Sequence, residues 1–280
     1  MPPMTPPRIP PRILTIAGSD SSGGAGIQAD IKTITMLGGY AMSAITTVTA
    51  QNTAGVAAVE VLSPELVGAQ IAACLADIGA DAVKIGMLGS PEIARVVADR
   101  LEGLAIPIVF DPVMVATSGS VLADDATIVS FERLMSIATL TTPNLPELAA
   151  LTGKELRSPE QIAGAAEELS QRFGRAVLAK GGHGEGSRIR DVLIDPEGRA
   201  ASFEDERIDT VHTHGTGCTL SSAIATLLGH GQPLEHSVRL ARQFVRKALE
   251  AAPGFGSGHG PLGHQAVRQS HSSSKGSLSS

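Results

Sequence analysis

The sequence predicts an α/β fold, a doubly wound and mainly parallel sheet with helices on both faces. Three observations carry that expectation. Apolar strand-like runs alternate with helix-like segments up to about residue 180, the form that right-handed βαβ units take in a sequence. The rhythm changes after Lys180, where two strand-like runs and two helices follow. No linker interrupts residues 12–252, and 280 residues suit one large domain with a substantial core.

The elements follow in order. Residues 1–11 are proline-rich and read as a flexible, extended start. A strand at Ile13–Ala17 leads through a glycine-rich turn into a helix over 26–37. A second strand spans Ala44–Thr49, and Gly55–Leu62 (GVAAVEVL) reads as a strand outside the main sheet, part of a small lid. Strands at Ala82–Ile85, Ile106–Phe110, Thr139–Thr142 and Ala176–Ala179 alternate with helices at 64–78, 91–102, 124–136, 145–152 and 159–173. Arg188–Ile194 and Arg199–Phe203 form a hairpin around the turn DPEG. Helices at 216–229 and 234–251 close the domain, assigned to 12–268, and the serine-rich residues 269–280 read as a disordered tail. There is no internal repeat.

Composition excludes several classes. With 22 basic and 28 acidic side chains the net charge is −6, which gives no general attraction to phosphate backbones. Six Phe, one Tyr and no Trp provide no stacking platform for single strands, so no nucleic-acid partner is expected. Cys74 and Cys218 match no zinc or redox spacing and point to a reducing compartment, with Cys74 in the core, while spacing alone leaves one disulfide between them open. The opening MPPMTPPRIPPR has prolines where a signal peptide needs an apolar stretch. The long uncharged stretches Thr33–Val59 and Thr210–Leu234 are too interrupted to cross a membrane. A cytoplasmic protein is the expectation.

Open parallel sheets place their sites beyond the carboxyl ends of strands, and polar groups accumulate there in this chain. The turn GSDSSGGAGIQAD after the first strand is neither a dinucleotide fingerprint nor a Walker loop. Its glycines fall at Gly18, Gly23, Gly24 and Gly26, and Asp20 is its more notable residue, although a helix-capping role is equally available to it. HTHGTGCTLSSAIATLL is sharper. Gly215, Thr216 and Gly217 lead a helix whose first amides form a ready anion site, the kind of donor that stabilises charge in phosphoryl transfer. Cys218 lies in that first turn, where the helix dipole favours thiolate and nearby phosphates oppose it. Asp111, Asn144, Glu147 and Lys180 each follow a successive strand, with carboxylates suited to Mg²⁺ and an ammonium suited to phosphate. Each also has an ordinary structural reading as a cap, a first-turn acid or a solvated strand end. The eight histidines show no metal-ligand spacing.

The strings AGSDSSGGAGIQADIKT, TAQNT, KIGML, DPVMVATSG, TPNLPE, KGGH, RIDTVHTHGTGCTLSSAIA and GSGHGPLGH occur in the order typical of hydroxymethylpyrimidine/phosphomethylpyrimidine kinases. The chain resembles that family from Ile13 to His264. The resemblance implies a ribokinase-like three-layer α/β/α sandwich and ATP- and Mg²⁺-dependent phosphorylation in thiamine biosynthesis. The acceptors would be 4-amino-5-hydroxymethyl-2-methylpyrimidine and then its monophosphate. Gln51 matches the pyrimidine-binding glutamine, whose carboxamide both donates and accepts. Gly18, Asp20, Met87 and Val113 fall in the same substrate region, and Cys218 matches the proposed base, with Gly215–Gly217 as anion hole. Asp111, Asn144, Lys180 and Thr216 match the nucleotide region, and Asp111 and Glu147 the metal. Sugar kinases of the superfamily usually carry Asp where this chain has Cys218, which argues against a sugar acceptor. A homodimer is implied too. The rival readings are a pyridoxal/pyridoxine kinase of the same superfamily and a catalytically weak pyrimidine-binding sensor.

Overall fold

A computed structural model describes residues 9–114, 125–183 and 186–267 of the chain. The expectations for residues 1–8 and for the tail at 269–280 lie outside the described residues, as does the end of the DPVMVATSG string.

One nine-stranded sheet organises the molecule. Its strands are β1 (Arg12–Asp20), β2 (Tyr40–Asn52), β3 (Gly55–Val61), β4 (Ala82–Ile85), β5 (Ile108–Phe110), β6 (Leu140–Thr141), β7 (Ala176–Ala179), β8 (Arg188–Ile194) and β9 (Ala200–Glu206). They lie in the order β3-β2-β1-β4-β5-β6-β7-β8-β9. The six from β2 to β7 are parallel, and β3, β8 and β9 extend the edges antiparallel. The helices are α1 (Gly26–Met36), α2 (Pro64–Asp77), α3 (Pro91–Leu101), α4 (Asp125–Ile137), α5 (Leu145–Thr152), α6 (Pro159–Phe173), α7 (Thr216–Gly229) and α8 (Leu234–Glu250).

The two-residue period of the strands sorts side chains into two layers. Leu14, Ile16, Val83, Ile85, Ile108 and Phe110 pack against α2, α3 and α4. Their neighbours Ile13, Ala82, Val109, Leu140 and Leu178 face α1, α7 and α8. A third cluster seats α5 and α6 on β7 and β8. This is a three-layer α/β/α sandwich. Cys74 is half-buried beside the first cluster, and both cysteines are free thiols.

Helix starts are set locally. Ser63, Ser90 and Ser158 each precede a proline and accept a backbone N–H from the first turn of α2, α3 and α6. The expected limits of α5, α6 and α7 match the structure, whereas β2 runs several residues beyond expectation at both ends. That extension corrects the reading of Gly55–Leu62. β3 is not outside the main sheet: it pairs with Thr47–Asn52, the part of β2 that reaches past most of β1. Asn52 closes the hairpin by accepting from the amides of Ala54 (2.9 Å) and Gly55 (3.1 Å). β3 is therefore the sheet's antiparallel edge, largely exposed and beside the carboxyl ends of the strands.

Candidate active site

The carboxyl ends of β1, β2, β4, β5 and β7 open on a cavity of about 970 Å³, and every residue singled out from the sequence lines it. Two ends can be distinguished by chemistry.

At one end the two glycine-rich segments meet. Gly215 precedes α7 with φ +85°, and a Cβ there would lie 1.9 Å from the Gly24 carbonyl oxygen. A Cβ on Gly24 would in turn lie 2.3 Å from His214 Cδ2. Backbone touches backbone, which only glycines permit. Asp20 sits at the centre of this contact. Its carboxylate accepts from the amides of Ser22 (2.8 Å), Gly24 (3.1 Å) and Ala25 (2.8 Å), so it ties the loop before α1 rather than capping the helix. His214 Nε2 lies 2.8 Å from Asp20 Oδ2. Burial works against the Asp20 charge, yet the bonds from His214, Ser22 and Ala25 prevail and hold its pKa at about 2.

An ionised Asp20 accepts, so the Nε2 proton of His214 points to it. Gln51 Nε2, 3.5 Å from the same nitrogen, then faces a donor rather than an acceptor. The glutamine Oε1 accepts from Thr49 Oγ1 at 3.1 Å. An amide donor aimed into the cavity thus stays available to a ligand. Gly18 and Met87 complete this wall, and a Cβ on Gly18 would meet Thr47 Oγ1 at 2.4 Å and Met87 Sδ at 3.3 Å. Val113 lines the cavity beside Asp111.

The other end gathers charge at the start of α7. Asp111, just past β5, accepts from Lys180 Nζ at 2.6 Å and Thr142 Oγ1 at 2.9 Å. Burial disfavours the Asp111 charge, but Lys180 and Lys84 hold its pKa below the usual carboxylate range. Burial likewise works against the Lys180 charge, and Asp111 and Glu147 raise its pKa regardless. Asn144 and Glu147 form the capping box of α5, with Glu147 accepting from the Asn144 amide (2.8 Å) and Asn144 from the Glu147 amide (2.9 Å). Their structural reading is realised, and both still line the cavity. Glu147 is buried, and that burial raises its pKa to about 7, against Lys180 and with Asp111.

A Cβ on Gly217 would stand 3.4 Å from both Asp111 Oδ2 and Lys180 Nζ, so the first turn of α7 abuts this pair. The Thr216 amide donates back to Thr213 O at 3.3 Å, which withdraws it from the expected anion hole. Among the described residues no backbone acceptor takes the amides of Gly217 and Cys218, as at any helix start. Burial pushes the Cys218 thiol up to about 11, with Lys84 opposing and Asp30 and Asp111 reinforcing. The dipole does not win: Cys218 is a thiol at neutral pH.

Sequence reasoning passed over His214, Lys84 and Asp30. His214 stands directly before Gly-Thr-Gly-Cys, and Lys84 is a charge inside an apolar central strand; both were signals. The segment GSGHGPLGH buckles the site from outside. The His259 amide donates to Thr53 O (2.9 Å) and the His214 amide to Gly260 O (3.1 Å). No group of three or more His, Cys, Asp or Glu that can hold a metal occurs among the described residues. No helix among them is long and apolar enough to cross a membrane.

Comparison with known proteins identifies the family of the chain. The profile of the family described as phosphomethylpyrimidine kinase matches residues 20–263. The hydroxymethylpyrimidine/phosphomethylpyrimidine kinase of Rhizobium meliloti is 46% identical over 255 residues, covering 90% of this chain and 96% of that one. The chain spans 35% of the length of a thiamine biosynthesis multifunctional protein of Corynebacterium efficiens and 52% of that of a thiamine biosynthesis bifunctional protein of Geobacter sulfurreducens. Among solved structures, an ADP complex of Bacillus subtilis pyridoxal kinase superposes with a TM-score of 0.85 at 33% identity, covering 92% of this chain and 99% of that one. Phosphomethylpyrimidine kinase of Clostridium difficile gives a TM-score of 0.75 at 39% identity, covering 85% and 98%.

Proposed function

The chain belongs to the phosphomethylpyrimidine kinase family, and we propose that it transfers the terminal phosphoryl group of ATP twice. The first acceptor is the hydroxymethyl oxygen of 4-amino-5-hydroxymethyl-2-methylpyrimidine. The second is the phosphate of the monophosphate so formed, giving the pyrophosphate used in thiamine assembly. One observation supports this reading above the rest: a single cavity joins the Gln51 donor to the Asp111–Lys180 pair, with Cys218 lining the same space.

The residues divide the work by position. Gln51 presents its amide N–H to a ring nitrogen and its oxygen to an amino group, while Met87 and Val113 cover the ring faces. Cys218 is the partner of the acceptor hydroxyl, and the Gly217 and Cys218 amides meet charge developing on the migrating group. Lys180 offers the remaining protons of its ammonium to nucleotide phosphate. A transfer of this kind rests on positioning and charge stabilisation more than on base strength, consistent with an un-ionised thiol at neutral pH.

Mg²⁺ fits the acidic corner. Asp111 and Glu147 lie beside Lys180, and burial, reinforced by Asp111, raises the pKa of Glu147, so a divalent cation there would favour its ionised form. Magnesium is held by one or two carboxylates plus phosphates and water, so a cluster of three acids is not needed. When bound it would neutralise phosphate charge. The family resemblance also supports a cytoplasmic homodimer, checked by sedimentation of the purified chain.

A second reading draws on the higher backbone likeness to pyridoxal kinase. ADP release with the pyrimidine, its monophosphate and pyridoxal, each with product identification, separates the two. Turnover of both pyrimidines over pyridoxal is expected. Preference for pyridoxal would reverse the assignment, and binding without turnover in magnesium would favour a sensor.

A further inference from the structure

Behind the start of α7 lies a polar cluster that the cavity does not reach. Lys84 on β4 and Asp30 on α1 are both 0% exposed. Lys84 Nζ donates to Asp30 Oδ1 and Oδ2, each at 2.9 Å. Asp30 accepts two further bonds, from Thr15 Oγ1 on β1 (2.5 Å) and Ser222 Oγ on α7 (2.6 Å). Thr15 and Lys84 are cross-strand partners, one residue on from Leu14 and Val83 and therefore on the opposite face, toward α1 and α7. The lysine head needs a bare backbone beside it, since a Cβ on Gly86 would lie 2.8 Å from Nζ.

Stability gives little reason for such a cluster. Buried ion pairs replaced by apolar residues of similar volume are often neutral or favourable. What the pair supplies is direction. Ser222 stands one helical turn beyond Cys218 on the same side of α7. Ser221 beside it lies 3.4 Å from Asp111 Oδ2. Ser221 Oγ has a closer acceptor in Gly217 O (2.9 Å), so Asp30, through Ser222, fixes the roll of the helix start from behind, while Asp111 borders it from the cavity. The Cys218 thiol feels charge from Lys84 on β4, Asp30 on α1, Asp111 after β5 and Lys180 after β7.

We infer that Lys84 and Asp30 form a positioning pair for phosphoryl transfer, holding Cys218 and the first-turn amides of α7 in register with Asp111 and Lys180 through Ser222. The inference rests on the transfer reading above. It requires that the pair matter for turnover even where it is not needed for folding.

The test uses the full chain carrying Lys84→Met with Asp30→Leu, and separately Ser222→Ala. Thermal melting, kcat and KM for each acceptor, and the pH profile of Cys218 alkylation by iodoacetamide are measured, with the labelled peptide identified by mass. The double variant should melt within a few degrees of the parent and keep KM within about threefold, yet lose about 30-fold or more in kcat. Ser222→Ala should lose about 10-fold in kcat. The alkylation profile should change in the double variant, in rate as well as in inflection, because the thiol loses two of the charges that face it and its fixed position. A folded double variant with kcat within about threefold of the parent overturns the inference. If the double variant does not fold, Ser222→Ala decides, and kcat within about twofold of the parent overturns it. A parent inactive on every acceptor sinks the kinase reading instead. The alkylation profile then still reports on the pair, and a profile unchanged in both rate and inflection in the double variant overturns the inference.

Discussion

Two lysine–aspartate pairs flank the first turns of α7, and they differ in what they face. In the Lys84–Asp30 pair both side chains are 0% exposed, and the carboxylate is saturated by bonds from β1, β4 and α7. In the Lys180–Asp111 pair the lysine keeps 13% exposure and both residues line the cavity. The chemistry is the same, and the difference is access. A sealed ammonium spends its protons on the protein and fixes geometry, whereas an open one keeps protons for a ligand.

The sharpest way to break that comparison is to remove each lysine. Lys180→Met should lower kcat/KM by on the order of 10³-fold, with a smaller loss of stability because Asp111 borders the cavity and keeps the Thr142 hydroxyl and the Lys84 charge. Lys84→Met leaves Asp30 buried without its cation and should cost about 3–5 kcal/mol in urea unfolding. Equal stability losses would mean that exposure does not separate the pairs.

Glu147 tests the open side by pH. Its folded pKa, about 7, lies above the ordinary 4.5, so the folded chain binds the extra proton between those values. Stability should therefore fall as pH rises from about 4.5 to 7, by at most about 3 kcal/mol. Glu147→Gln keeps an acceptor for the Asn144 amide and should flatten that slope. An unchanged slope would place the titration elsewhere. Nucleotide with magnesium should also reduce it in the parent.

Cys218→Ala sharpens the line between positioning and chemistry. The alcohol acceptor must be oriented and lose a proton, whereas the phosphate acceptor is already largely ionised. The first transfer should therefore fall more, by about 10-fold where the un-ionised thiol only positions the hydroxyl and by on the order of 10²-fold where proton transfer to sulfur is lost. Single-turnover rates at saturating ATP read each step. Equal losses would make Cys218 a packing residue, and no loss would remove it from the chemistry.

Gln51→Ala carries the smallest expected effect, roughly 1–3 kcal/mol in pyrimidine affinity with ATP binding retained. Calorimetric titration of both ligands checks it. Unchanged pyrimidine affinity would take Gln51 out of the substrate end.

Much of this arrangement was legible in the residues. The strand at Ala176–Ala179 and the helices from Leu145, Pro159 and Thr216 follow from apolar runs, caps and glycines that act within a few positions. Asp111, Lys180 and the Gly-Thr-Gly-Cys turn were visible because parallel sheets deliver polar groups beyond their carboxyl ends. The place of β3 was not, since pairing depends on how far β2 overhangs β1. Nor was the direction of the Cys218 shift, because dipole and burial act oppositely and only depth decides between them.

The sequence by itself determined the order of the elements, the α/β layering and the glycine-led start of α7, because each is written in local period and backbone freedom. Only the tertiary structure decided that Lys84 meets Asp30 across 54 positions and that His214 meets Asp20 across 194. Such contacts depend on which faces of β1, β4, α1 and α7 turn toward one another once the core closes. Burial then selects the pairing, since a charge or a donor left alone in that interior would be too costly to keep.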